Sequence, residues 1–186
     1  RPGWVVYTSG ARVESVVEIG LGEAFSCARL SDGKVLCWGS DGHHQLGDGA
    51  DGGVPASRTP HAQQINMYGG WRATDLAVGT RHACAVTNTG EVRCWGLNST
   101  GQGGIGSLTE TIHTSQPVRY NANLSLTNAT AISAGSYHTC ALVNVSGNGE
   151  KVYCWGANSH GQINNSNDSH LPAPNPVNEQ ASPAVA

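Results

Sequence analysis

The chain has 186 residues, 38% of them hydrophobic and only 12% charged, with ten Lys plus Arg against thirteen Asp plus Glu and a formal charge of -3. That length allows one ordinary domain or two, the scattered basic residues exclude a nucleic-acid groove, and without an apolar run of about 18 residues there is no membrane-spanning helix. Twenty-five glycines and no sustained i, i+3, i+4, i+7 apolar spacing predict short strands, many turns and almost no helix. No initiator Met or signal peptide stands at Arg1, so the sequence reads as a mature product or as a piece of something longer.

Residues 1–15 form a flank in which Trp4 to Gly10 (WVVYTSG) reads as an orphan strand. Three repeats follow, at 16–72, 73–128 and 129–178, with a period of about 57 residues, the mark of a repeat architecture. Each opens on a short apolar strand turned by glycine: Val16, Ile19 and Gly22; Ala73, Leu76 and Gly79; Ala129, Ile132 and Gly135. A cysteine five residues on starts a hairpin, which closes on Cys-Trp-Gly at Cys37, Cys94 and Cys154. Next come a Gly/Asn/Gln turn (SDGHHQLGDG, LNSTGQGGIG, ANSHGQINNS), a variable loop and a last short segment (AQQINM, QPVRYN, NPVNEQ). Four short strands per repeat is the pattern of a propeller blade. Residues 179–186 are a Pro/Ala/Ser-rich tail that reads as extended linker.

The cysteines fall two per repeat, each pair symmetric about a turn centred on Asp32, Thr89 or Gly147. Residues equidistant from a hairpin turn face each other across the strand pair, which predicts the disulfides Cys27–Cys37, Cys84–Cys94 and Cys140–Cys154. A zinc site is the rival reading, but two thiolates per repeat need a further pair and no CxxC occurs. Disulfides at this density imply an oxidising compartment, hence a secreted or cell-surface protein. N-x-S/T sequons at Asn98, Asn123, Asn128, Asn144, Asn164 and Asn167 fit that placement and are candidate glycan acceptors.

The pattern G-x-x-[HF]-x-C-A, then G-x-V-x-C-W-G-x-[ND]-x-x-G-Q, resembles the regulator of chromosome condensation repeat over about 160 residues. The resemblance implies an all-β fold of propeller-type blades. The family closes seven blades, and its members bind proteins; the founding member is an exchange factor for a small GTPase. Paired cysteines resemble the secreted or ectodomain variant. Three blades cannot close a ring, so the expectation is a partial propeller, a propeller completed by oligomerisation, or an open array.

Trp38, Trp95 and Trp155 share one repeat position and are expected in the packing between blades, a ligand-stacking role being the sharper alternative. Gly22, Gly79 and Gly135 are expected to allow tight backbone geometry. Phe25, His82 and His138 are equivalent, and a Phe in that series argues for packing over catalysis. His43, His44 and His160 sit in matching turns as exposed loop histidines. Asp48 to Gly53 (DGADGG) looks calcium-like but lacks further acidic ligands. No catalytic residue, metal ligand or cofactor is assigned. The expected function is a non-catalytic scaffold whose partner is another protein or itself, with loops 48–70, 103–117 and 163–176 as the recognition surface. The alternative is a sensing fragment of a receptor ectodomain, with a GTPase regulator or enzyme inhibitor behind it.

Overall fold

The computed structural model describes residues 3–49, 58–164 and 166–177. Among them every regular element is a strand, and twelve of the strands form three four-stranded antiparallel sheets in simple meander order. Blade 1 holds β1 (Val16–Leu21), β2 (Phe25–Leu30), β3 (Val35–Ser40) and β4 (Arg58–Gln64). Blade 2 holds β5 (Ala73–Val78), β6 (His82–Thr87), β7 (Val92–Leu97) and β8 (Thr111–Pro117). A small hairpin, β9 (Arg119–Asn121) and β10 (Leu124–Ser125), leads into blade 3, which holds β11 (Ala129–Ala134), β12 (His138–Val145), β13 (Gly149–Ala157) and β14 (His170–Pro176). The blades stand side by side, with β5 touching both β1 and β11.

The central hairpins form where the sequence places them. Gly33 and Gly90 take φ of +79° and +77° at the turn tips, a conformation open to glycine without strain. The cysteines are then direct cross-strand partners, and the three disulfides span Cα–Cα distances of 4.1, 4.0 and 4.1 Å. The Cys-Trp-Gly triplet has its own cause. The register of β3 on β4 shifts between Cys37 and Gly39, and the same shift recurs at Cys94/Gly96 and Cys154/Gly156. The tryptophan is thus a bulge residue, and the glycines after it sit at φ of +111°, +95° and +109°. A Cβ on any of them would lie 2.6 Å from a carbonyl oxygen of the neighbouring β-turn.

The fourth strand lies earlier than the sequence suggests. Arg58–Gln64, Thr111–Pro117 and His170–Pro176 fall inside the segments read as variable loops. Pro60, Pro117, Pro172, Pro174 and Pro176 gave those stretches the look of loops. A proline cannot donate to a ladder but is tolerated on an edge strand, and these are the outer edges of their blades. The tail 179–186, most of Asp48–Gly53 and the start of the 48–70 segment lie outside the described residues.

Two cores lie in the seams between blades, not inside any one blade. The first joins Cys27 and Cys37 of blade 1 to Leu76 and Trp95 of blade 2; the second joins Cys84 and Cys94 of blade 2 to Ile132 and Trp155 of blade 3. Each seam therefore sets the disulfide face of one blade against the tryptophan face of the next. The flank does not form a full strand. It makes a small hairpin, bridged at Val6 and Arg12, and lays Val5, Tyr7 and Val13 against Leu30, Leu36 and Trp38.

Candidate interaction surface

The seams follow a repeated hydrogen-bond plan. Trp95 Nε1 donates to Gln45 O at 3.1 Å, and Trp155 Nε1 donates to Gln102 O at 2.9 Å. Both indoles are fully buried, so a donor without that carbonyl would be costly. The carbonyls are aimed by a rigid turn. Asp41, Asn98 and Asn158 each accept on Oδ1 from a backbone N–H five residues on, at 3.0, 2.9 and 2.9 Å. Gln45, Gln102 and Gln162 each accept on Oε1 from the N–H two residues back, at 2.8, 2.9 and 2.9 Å. Burial pushes the Asp41 carboxyl above its usual range, with the Leu46 N–H opposing.

At the inner end of the blades the backbone itself crosses the seams. Glu23 N donates to Thr80 O at 3.0 Å, and Thr80 N to Ser136 O at 3.2 Å. Gly22 and Gly79 make this approach possible. A Cβ on Gly22 would lie 2.9 Å from Gly79 O, and one on Gly79 would lie 2.7 Å from Gly135 O, besides striking the rings of Phe25 and His82. None of the three glycines has positive φ among the described residues, so the requirement is space and not conformation. Arg81 adds an exposed ion pair to Glu23 at 2.7 Å, which holds the Glu23 carboxyl below its usual range. Asp75 Oδ2 accepts from Ile132 N at 2.7 Å across the second seam.

His82 is a structural residue. It is fully buried, its Nε2 lies 2.9 Å from Thr139 Oγ1, and that hydroxyl donates onward to Gln102 O at 3.1 Å. The hydroxyl proton is thereby committed, so the Nε2 carries the histidine proton and the ring is neutral. Burial, with the neighbouring His138 second, pushes the His82 pKa down to about 3. Burial lowers His138 as well.

The outer faces of blades 1 and 3 lack what the seams supply. Ile19 is 67% exposed, whereas its equivalents Leu76 and Ile132 are 6% and 8% exposed. Leu21 and Val17 are exposed beside it, and Trp38 is only half-buried. Ile19, Leu21 and Trp38, with Val16, Trp4, Val5 and Val13, line an apolar groove of about 350 Å³ on the amino-terminal face. On the opposite face Cys154, Ile163 and Leu171 pack together over a partly buried Cys140.

The structure separates the other sequence candidates. Asn123, Asn128, Asn144 and Asn167 are exposed, and Asn164 is half-buried with its Oδ1 accepting from Ser166 N at 3.0 Å. Asn98 differs from these. It is buried, and its Nδ2, the atom a glycan needs, donates to Ser107 O at 2.9 Å and Thr109 Oγ1 at 3.1 Å. The loop histidines do not converge. His43 Nε2 accepts from Arg81 Nη1, His44 stacks on His113 with ring centroids 3.6 Å apart, and His160 is exposed. Among the described residues no three His, Cys, Asp or Glu side chains group as metal ligands. The Asp41/Asn98/Asn158 and Gln45/Gln102 positions stand in the repeat pattern read from sequence, but the turn-bracing role that the structure gives them was not assigned there. Their recurrence at fixed distances after Cys-Trp-Gly is the signal that marks them.

An array of four-stranded meander blades with disulfide-to-tryptophan seams defines a β-propeller repeat protein. Comparison with known families identifies which one: the chain matches the Regulator of chromosome condensation (RCC1) repeat at residues 16–45, 73–102 and 129–162 and, in a second description of that repeat, at 32–86 and 89–142. The chain belongs to this family, a scaffold kind used in protein interaction. It is 28% identical over 175 residues to the mouse secretion-regulating guanine nucleotide exchange factor, covering 84% of this chain and 34% of that protein. It is 34% identical over 126 residues to the human E3 ubiquitin-protein ligase HERC2, covering 68% of this chain and 2% of that protein. Among solved structures, Prp20p from Saccharomyces cerevisiae superposes with a TM-score of 0.73 at 17% identity, covering 93% of this chain and 40% of that one. The chain thus spans well under half the length of these relatives.

Proposed function

We propose that the chain is a non-catalytic extracellular scaffold that assembles with further blades through its open faces. The observation that carries this is the apolar amino-terminal face, where Ile19 is 67% exposed although its equivalents are buried under a neighbouring blade. A face of that kind in water favours association by burial of apolar area, about 1.5–3 kcal/mol for one isoleucine. Yeast RCC1 (Prp20) has been crystallised with Kap60 bound, in keeping with a scaffold that takes protein partners. Two further features favour an oxidising compartment. Each blade is closed by a disulfide, and four sequon asparagines point to solvent. The repeated polar groups of the seam turns, Asp41, Asn98 and Asn158 with Gln45, Gln102 and Gln162, accept structural backbone hydrogen bonds.

Hydroxyl-radical footprinting of Trp38 and Ile19 tests the assembly, comparing the isolated chain with material from its native source. Protection in the native material alone is expected; equal reactivity in both overturns assembly through this face. Thiol counting tests the compartment: no free thiol is expected in native material, and reduced cysteines would overturn an extracellular setting.

A further inference from the structure

The hairpin tips of blades 1 and 2 each reach across a seam to the next blade. Ala73 N donates to Gly33 O at 2.8 Å, and Ala129 N donates to Gly90 O at 3.0 Å. The two crossings are built alike but finished differently. At the first, Asn88 closes over Arg72: Asn88 N donates to Arg72 O at 2.7 Å, and Asn88 Oδ1 accepts from Arg72 N at 3.0 Å. At the second, Asn128 stands for Arg72 and Asn144 for Asn88, and Asn144 N donates to Asn128 O at 2.9 Å. The return bond from the side chain is absent there among the described residues. The cause lies in the third hairpin. Cys140 and Cys154 are 14 residues apart where the other pairs are 10 apart. The β12–β13 ladder runs on to Val145 and Gly149, whereas the others stop at Arg29 and Val35 and at Val86 and Val92. Asn88 is therefore a turn residue that folds its amide back on the chain. Asn144 is a strand residue opposite Glu150 and holds its amide out from the sheet.

The overhanging hairpin of blade 3 and the tip of blade 2 enclose a groove of about 450 Å³, lined by Thr89, Gly90, Asn128, Thr130, Asn144 and Ser146. Its volume falls in the range of roughly 300–1,000 Å³ usual for small-ligand sites. The lining is amide and hydroxyl. Thr130 Oγ1 donates to Glu150 Oε1 at 3.1 Å, and Thr89 Oγ1 lies 2.9 Å from Thr87 Oγ1. Asn128, Asn144 and Ser146 are exposed, and among the described residues their side chains hold no hydrogen bond. Neutral groups that both donate and accept suit a neutral, hydroxyl-rich ligand. The same residues spell two sequons, Asn128-Ala129-Thr130 and Asn144-Val145-Ser146. The groove is thus bordered by attachment points for a ligand of the chemistry it fits. The two asparagines are not equivalent. Asn128 takes φ of +60° and lies against the blade 2 tip, where a Cβ on Gly90 would be 3.0 Å from its N. Asn144 stands on the overhang, across the groove from it.

We propose that Asn144 carries an N-linked glycan whose first N-acetylglucosamine seats in this groove, with the Asn128 amide as its hydrogen-bonding partner, so that the sugar ties blade 2 to blade 3. The attachment is a group transfer from a lipid-linked pyrophosphoryl oligosaccharide. Asn144 Nδ2 loses one proton to a base and bonds to the anomeric carbon. The bond from that carbon to the pyrophosphate oxygen breaks, and the lipid pyrophosphate leaves with the electron pair. This rests on the extracellular reading above and deepens it, since it names the acceptor and gives its sugar a structural part.

Glycan mapping followed by hydrogen exchange tests the proposal on the full oxidised chain secreted from a eukaryotic host. A glycan at Asn144 is expected. The Ala129 N–H, which holds Gly90 O, should then exchange at least about fivefold more slowly than in Ser146→Ala, which loses the sequon and keeps Asn144. Ser146→Thr keeps the sequon and should match the wild type. Asn128→Gly keeps the positive φ without strain and should lose the added protection although Asn144 still carries its glycan. Wild type and Ser146→Ala refolded without glycans should exchange alike at Ala129, which separates the sugar from the substitution. Glycans at other exposed sequons with Asn144 bare overturn this inference and leave the extracellular reading standing. So does a glycan at Asn144 that leaves Ala129 exchange unchanged, or protection that survives Asn128→Gly. Free thiols in the native material remove the extracellular reading and this inference with it.

Discussion

His82 and Thr139 share a 2.9 Å hydrogen bond across the seam between blades 2 and 3, with both residues at 0% exposure. One blade earlier the same two positions hold Phe25 and Ala83, both buried. The seam thus accepts a polar pair or an apolar pair, and the two members change together. A mixed pair leaves a buried donor with no acceptor, which costs about 1–3 kcal/mol.

A double-mutant cycle reads this out. Thr139→Ala alone should lower stability by about 1–3 kcal/mol, since His82 Nε2 loses its partner. His82→Phe with Thr139→Ala copies the first seam onto the second and should recover most of the loss. Urea unfolding of the four proteins gives the coupling, and additive losses would show that the pair does not act as a unit.

The same histidine makes stability depend on pH. Its folded pKa, about 3, lies below the ordinary value of 6.5. Between those values the unfolded chain binds a proton that the folded chain does not, so stability falls as pH falls. From pH 7 to pH 5 the loss from His82 is about 2 kcal/mol, and His138, also lowered by burial, adds to it in the same direction. Asp41, raised by burial, acts the other way: acidification toward its folded pKa favours the fold. Melting temperatures across pH 5–7 should slope downward toward acid, and the slope should shrink in the His82→Phe, Thr139→Ala protein.

The hairpins were legible in the sequence because a disulfide pair symmetric about a turn leaves one register. The blade count was legible for a similar reason: Cys-Trp-Gly recurs at a constant spacing. The outer strands were not, since Pro60 or Pro174 on an edge strand looks the same as Pro in a loop. The seam chemistry was hidden for another reason. Trp95 is partnered by a backbone carbonyl, that of Gln45, fifty residues away, and a main-chain acceptor leaves no mark of its own in the side-chain pattern.

The three disulfides should differ in their response to reductant because the blades differ in what covers them. Cys84 and Cys94 are fully buried beneath blade 3, and Cys27 and Cys37 are fully buried beneath blade 2. Cys140 on the uncovered face is only partly buried. Thiol–disulfide exchange requires access to a sulfur, so Cys140–Cys154 should open first. Brief dithiothreitol treatment, alkylation and peptide mass analysis should find label on those two cysteines before the other four. Loss of that bond should lower stability by about 2–3 kcal/mol. Simultaneous labelling of all six cysteines would mean that global unfolding, not local exposure, controls reduction.

The sequons give a sharper test of where the chain folds. Asn123, Asn128, Asn144 and Asn167 present their side chains to solvent, whereas Asn98 Nδ2 holds Ser107 O and Thr109 Oγ1 inside the blade 2 turn. Expressed through a secretory pathway, the protein should carry glycans at one or more of the exposed set and none at Asn98, as read by peptide mapping after enzymatic deglycosylation in heavy-oxygen water. Asn98→Asp separates the structural role from the chemical one. It keeps the Oδ1 that accepts from Gly103 N at 2.9 Å but loses both donated bonds and faces its new oxygen toward the Ser107 carbonyl, for which turning the Thr109 hydroxyl to donate compensates only in part. Stability should fall by about 1–3 kcal/mol with no change in the glycan map. A glycan found at Asn98 in folded protein would mean that the blade 2 turn opens to admit it, and the Gln102 carbonyl that receives Trp155 would then lose its support.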